Sequence, residues 1–147
     1  MKILVIESRF HENIADLSLS SACKFLESQS IEYDVLPVHN IFEIPAAINM
    51  KFEFADYTGV IALGCAIKDN NLGYQFIYQE CIRGLNDVGV YYAVPIGLGI
   101  FIAEDIVKAK MMAEDVAHNA VLSCLQLVKI RDQFGFLASD QSLRYDN

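Results

Sequence analysis

Several things are scarce in this sequence, and each scarcity excludes a class of protein. Among 147 residues there are only 3 prolines and 8 glycines, too few for collagen-like or low-complexity sequence. Uninterrupted apolar runs stop far short of the ~20 residues that a membrane-spanning helix needs, so no membrane span is expected. Lysine and arginine number 11 against 19 aspartates and glutamates, for a net charge of −8. Nucleic-acid binding relies on basic side chains to neutralise phosphates, so nucleic acid is not an expected partner. Cys23, Cys65, Cys81 and Cys124 form no CxxC pair, the spacing a zinc site usually shows, and no metal is expected. Neither a GxSxG nucleophile motif nor a P-loop is present.

What is abundant is apolar. Hydrophobic residues make up 54% and charged residues 20%, which excludes intrinsic disorder. The length suits one domain, and a chain of this size buries about 68–70% of its unfolded surface, enough to fold without staples. A mean hydropathy of +0.30 is high for a small monomer and points to subunit interfaces in a homo-oligomer. The start, Met1 to Glu7, reads as a strand and not as a signal peptide. With no disulfide pattern, the expectation is a cytoplasmic protein with free thiols.

Periodicity divides the chain into alternating elements. Ile3–Ile6 is a β-branched run suited to a strand covered on both faces. Glu12 to Ser28 has helical spacing through Ile14, Leu17, Ala22, Phe25 and Leu26. Tyr33–Val38 is a second strand. Glu43–Met50 is a short helix with Pro45 in its first turn, where a missing N–H costs nothing. Thr58–Leu63 is a third strand closed by Gly64, Gly73–Asn86 a helix, Val90–Ile96 a fourth strand, and Glu104 to about Ile130 one or two helices. Residues 1–132 then form the single domain. Residues 133–147 lack a clear period and read as a mobile tail. Such alternation predicts an α/β fold, a three-layer α/β/α sandwich on a four-stranded parallel sheet.

Ligands of parallel sheets bind at the carboxyl ends of the strands. Four segments follow those ends: Ser8–His11, His39–Phe42, Cys65–Leu72 and Gly97–Ala103. Phe10 is either core packing or an aromatic placed to stack on a flat ligand. Glu43 is favourable at a helix start for electrostatic reasons alone, or it is a ligand group. Asp69, Asn70 and Asn71 are natural turn and cap residues; with Lys68 beside them they could equally form an anion site. His11 and His39 follow strands and could serve as acid or base near neutral pH, or be ordinary surface histidines.

Together these segments resemble the lumazine synthase family, in register from Ile3 to about Ile130. Ser8-Arg9-Phe10 is similar to the family's Ser-Arg-Phe. Ile41-Phe42-Glu43-Ile44-Pro45 is similar to its Ala/Ser-Phe-Glu-Ile/Leu-Pro. Ala62-Leu63-Gly64-Cys65-Ala66-Ile67-Lys68 is similar to its Ala-Leu-Gly-Cys-Val-Ile-Arg, and Pro95-Ile96-Gly97-Leu98-Gly99 to its Pro-Val-x-Phe-Gly. The resemblance implies a flavodoxin-like strand order and an enzyme of riboflavin biosynthesis that uses no cofactor. Its reaction joins 5-amino-6-(ribitylamino)uracil to 3,4-dihydroxy-2-butanone 4-phosphate through a Schiff base, with loss of phosphate and ring closure. By resemblance, Phe10 stacks on the pyrimidine, Ile41, Phe42 and Glu43 hold the ribityl chain, and Ala66 and Ile67 offer backbone groups to the uracil. Lys68, Asn70 and Asn71 lie nearest the phosphate. Leu98 stands where a neighbouring subunit supplies an aromatic.

The sequence also departs from the family. The family's general acid/base histidine falls on Gly73, so the catalytic group is unassigned. Its phosphate-binding arginine falls on Met112, and the lysine of its Asn-Lys-Gly on Ala120, after a matching Asn119. Arg9, Lys68, Lys108 and Lys110 are candidate replacements for the phosphate cation, and His11 and His118 for the base. Two functions follow: a lumazine synthase with a rearranged site, or an inactive descendant kept as an assembly or as a lumazine- or flavin-binding protein. The family assembles as pentamers, and its shell-forming members carry an extension ahead of strand one that has no counterpart here. The expectation is therefore a homopentamer or decamer with sites between subunits.

Overall fold

The computed structural model describes the backbone of residues 1–68 and 73–145 and the side chains of residues 1–68 and 73–135. The elements run β1 (Lys2–Ser8), α1 (Glu12–Ser28), β2 (Glu32–Val38), a 3-10 turn (Ile41–Glu43), α2 (Ile44–Phe52), β3 (Gly59–Ile67), α3 (Tyr74–Tyr92), β4 (Ile96–Ala103) and α4 (Ile106–Tyr145). The four strands pair in parallel in the order β2-β1-β3-β4. This is the expected three-layer sandwich with flavodoxin-like order. Asn70 and Asn71, with Asp69 and Leu72, lie outside the described residues.

Strand alternation sorts the core into two layers. On one face Ile3 and Val5 pack with Ile61 and Leu63 of β3 against α1 and α4, through Ala22, Leu26, Ala117 and Val121. On the other, Leu4 and Ile6 pack against α2 and α3 through Ile44, Ile48, Cys81 and Leu85. Both β1 and β3 are buried on both faces, as their unbroken apolar runs predict.

One expected strand is displaced. Val90–Ile96 is not a strand: α3 continues to Tyr92, closes on Ala93 in the left-handed conformation (φ 48°), and β4 starts at Ile96. The β-branched and aromatic run Val90-Tyr91-Tyr92 imitates a strand, but Tyr92 packs with the α2/α3 layer while Val90 and Tyr91 face out. Conversely, Gly97–Ala103 is not a loop but β4 itself. Its glycines hid it. A Cβ on Gly97 would come within 2.0 Å of the Ala120 carbonyl oxygen, and one on Gly99 within 2.6 Å of Leu63. These are strand glycines that admit a closely packed neighbour. Strand β3 likewise runs past Gly64 to Ile67. Helix α4 is one continuous element that outlasts the apolar period ending near Ile130; side chains 132–135, which follow, are exposed and need no core-facing stripe.

Candidate functional site

In this strand order the chain crosses over between β1 and β3, which leaves a crevice at their carboxyl ends. A cavity of about 210 Å³ lies there. β1 and its turn contribute Phe10 and His11. The 3-10 turn and its cap contribute Ile41 and Asn40, and β3 contributes Cys65, Ala66 and Ile67. Tyr74 and Ile77 from the start of α3, and Ile106 from the start of α4, complete the wall.

Local chemistry holds these pieces in place. The Ser8 hydroxyl donates to the His39 carbonyl (3.3 Å) and accepts from the Phe10 N–H (3.4 Å), and the Arg9 N–H donates to the Val38 carbonyl (2.8 Å). These bonds tie the β1 turn to the end of β2. Asn40 caps the 3-10 turn by accepting from the Phe42 N–H (3.3 Å). Gly64 lets that turn sit on the sheet, since a Cβ there would meet Ile41 at 2.5 Å. The Lys68 N–H donates to the Ala103 carbonyl (2.9 Å) and closes the β3–β4 end.

Phe10 is 54% exposed at the cavity mouth, so its ring is available to a ligand. It meets His11 edge-on (centroids 4.9 Å apart) and His39 similarly (5.5 Å). Burial holds the His11 imidazole below its ordinary pKa, so near neutral pH it is uncharged and can accept a proton. Burial pushes the Cys65 thiol up to about 12. It stays protonated, which removes it as a nucleophile.

The sequence-derived candidates are partly gathered. Phe10, Ile41, Ala66 and Ile67 meet in one cavity. Phe42 and Glu43 lie on the same turn but outside it: Phe42 is exposed beside Phe76 and Arg83 in an adjoining groove that shares Ile77, and the Glu43 carboxylate accepts from the His39 N–H (3.1 Å). Lys68 is exposed just past the cavity wall. Leu98 lies near the opposite end of β4, in a separate groove with Ile82 and Val90. Met112 is on the outer side of α4. Neither reaches the cavity within one chain.

Among the proposed substitutes, His118 packs edge-on against Phe25 in the α1/α4 layer (4.6 Å). That leaves His11 as the histidine in the cavity wall. Arg9 is engaged by Glu7 (3.0 Å) and Asp16 (2.6 Å), so it is not available to a phosphate. Lys108 and Lys110 are exposed on the first turns of α4. Tyr74, Ile77, Asn40 and Ile106 were not singled out in the sequence; Tyr74 and Ile106 open helices that follow site strands, which is the signal that finds them.

A family model described as 6,7-dimethyl-8-ribityllumazine synthase matches residues 1–132. The 6,7-dimethyl-8-ribityllumazine synthase of Paramagnetospirillum magneticum is 30% identical over 145 residues, covering 91% of this chain and 97% of that protein. That of Agrobacterium fabrum is 32% identical over 142 residues, covering 90% and 96%. The 6,7-dimethyl-8-ribityllumazine synthase 1 of Rhizobium meliloti is 30% identical over 142 residues, covering 90% and 93%.

Proposed function

The chain belongs to the 6,7-dimethyl-8-ribityllumazine synthase family, and we propose that it carries out that condensation itself, with His11 in place of the family's histidine. The observation that carries this reading is the cavity at the β1/β3 crevice, with Phe10 at its mouth and His11 in its wall.

The chemistry asked of the site is modest. The aromatic amine attacks the ketone, and its two N–H protons leave with the carbonyl oxygen as water. Phosphate is then eliminated to leave an enol that tautomerises to a second ketone. The ribitylamino nitrogen attacks that ketone and closes the second ring with loss of a second water. His11 takes a proton from the attacking nitrogen and returns it to the oxygen. Such help is typically worth about 10²–10⁴-fold. Holding the two reactants together supplies more, about 7–11 kcal/mol of the barrier. Phe10 stacks on the pyrimidine, the Ala66 and Ile67 backbone meets the uracil, and Ile41, Phe42 and Glu43 line the ribityl side. Lys68, with Asn70 and Asn71, takes the phosphate.

Leu98 and Met112 serve the site of a neighbouring copy in a homopentamer or decamer. What supports this is their position away from the cavity of their own chain and the apolar groove around Leu98. Gly73 and Met112, at the family's histidine and arginine positions, favour a second reading: a binding protein that no longer turns over.

The test supplies both substrates and follows phosphate release together with lumazine absorbance, with the assembly mass measured on the same sample. Turnover that survives in the wild type and falls in His11→Gln supports the proposal. An assembled protein that binds the lumazine product without any turnover replaces it with the second reading.

A further inference from the structure

Behind His11 lies a second, much smaller cavity. It holds about 10 Å³, enclosed by β1, α1 and β3, and its wall includes Glu7, His11, Ser18 and Cys65. His11 therefore lines both spaces, the substrate-sized one in front and this one behind. Glu7 is the unusual member. It is a carboxylate near the carboxyl end of an apolar strand, 2% exposed, on the face where Ile3 and Val5 pack under α1. One of its oxygens accepts from Arg9 (3.0 Å). The other, Oε2, is buried without a hydrogen-bond partner among the described residues. A buried carboxylate oxygen is costly to leave unsatisfied, and such a residue in a core strand needs a reason beyond packing.

The small cavity supplies one. Its volume is at the lower bound for holding a single water, and its largely apolar lining includes Glu7, His11 and Ser18, whose side chains bear groups that can bond one. We propose that Glu7 is the positioning residue for His11, coupled to its imidazole through one water held between them. The water donates to Glu7 Oε2 and accepts the imidazole N–H on the inner side. The proton is then fixed on that nitrogen, and the lone pair of the other faces the substrate cavity. A carboxylate that orients the far nitrogen of a histidine sets its tautomer and steadies the imidazolium that forms during proton transfer. Glu7 is held in turn by Arg9, which Asp16 shares. The charged and titratable groups around His11 are thus Glu7 and Arg9 from β1 and its turn, Asp16 from α1, Cys65 from β3, His39 from the end of β2 and Tyr74 from the start of α3.

This inference rests on the reading of His11 as the proton-transfer group, and its test separates the two. Carbethoxylation of each histidine is followed by peptide mass spectrometry as a function of pH in the full-length assembled protein, with His39 and His118 as internal references. Turnover is measured in parallel. In Glu7→Gln the His11 midpoint is expected to fall by at least half a pH unit while those of His39 and His118 stay put, and kcat to drop about tenfold with KM within twofold. Ser18→Val keeps both partners but fills the space between them, and is expected to reproduce the same changes; it also serves if Glu7→Gln fails to assemble. An unmoved His11 midpoint in an assembled variant overturns the coupling. If the wild type shows no turnover, the synthase reading fails, and the midpoints still decide the coupling.

Discussion

Two hollows in this molecule invite comparison: the cavity at the carboxyl ends of β1 and β3, about 210 Å³, and the groove beside the amino end of β4, about 330 Å³. The larger one is the poorer candidate for a small molecule. Its walls are Ile82, Val90, Ile96, Leu98 and Leu127 with Asn86 as the one polar side chain, so little in it could orient a ligand. The smaller cavity holds an aromatic at its mouth, a histidine, an asparagine and a tyrosine. Polar groups gather where strands end because turn residues have backbone groups to satisfy there and side chains free to face a ligand. The groove presents apolar side chains with Asn86 alone among them, a surface better suited to packing than to orienting a small ligand. The first hollow suits chemistry and the second suits assembly, and the proposed function needs both.

The sharpest way to break the comparison is to charge the groove. Leu98→Asp would bury an unpaired carboxylate if a second copy covers this surface, a cost of several kcal/mol. The expected outcome is loss of the assembled mass in native mass spectrometry and a fall in kcat/KM of at least about a hundredfold. An assembled, active Leu98→Asp protein would remove the groove from the interface. Next in size is His11→Gln, which leaves the groove alone. Here kcat is expected to drop about a hundredfold, with the assembly mass unchanged and KM little affected. Phe10→Ala tests the mouth of the same cavity. It removes one face of a stack worth about 0.5–1.5 kcal/mol, so KM for the pyrimidine is expected to rise about fivefold while kcat holds.

The residues that could be read from sequence are those whose neighbours in the chain are also their neighbours in space. Ile3–Ile6, the α1 stripe and Pro45 at the start of α2 each carry a local signal, and each element formed where expected. Phe10 also carries a local signal, as an aromatic just after a strand end, whereas Ile41, Ala66 and Ile67 were singled out by resemblance and line the same cavity. β4 was misplaced because the features that make it a strand are non-local. Gly97 and Gly99 read as loop until helix α4 and strand β3 are seen pressed against them. Leu98 and Met112 could be named only by resemblance, since in one chain neither reaches the cavity. Glu7 was hidden for a related reason. A carboxylate at the end of an apolar run looks like the end of the strand, and only the sheet under α1 shows that it is buried.

The smallest expected effect sharpens the comparison from within the cavity wall, since Glu7 and His11 shift in opposite senses. Burial lowers the His11 pKa from its ordinary 6.5, so between the folded value and about 6.5 the unfolded chain binds more protons. The His11 contribution to stability is then complete above about pH 6.5 and is lost as pH falls through that window. Burial raises the Glu7 pKa above 4.5, and Asp16 adds to the rise while Arg9 opposes it. Between 4.5 and the raised value the folded chain binds more protons, so this contribution is present at lower pH and is lost as pH rises. Thermal unfolding from pH 7.5 to 4, at fixed protein concentration because assembly shifts Tm, should separate them. Relative to the wild type, His11→Gln should flatten the loss of Tm on acidification below pH 6.5, and Glu7→Gln should remove the gain at the acid end. Superimposable profiles for all three proteins would mean that neither group changes its surroundings on folding, and that the wall between the two cavities is wetter than its packing implies.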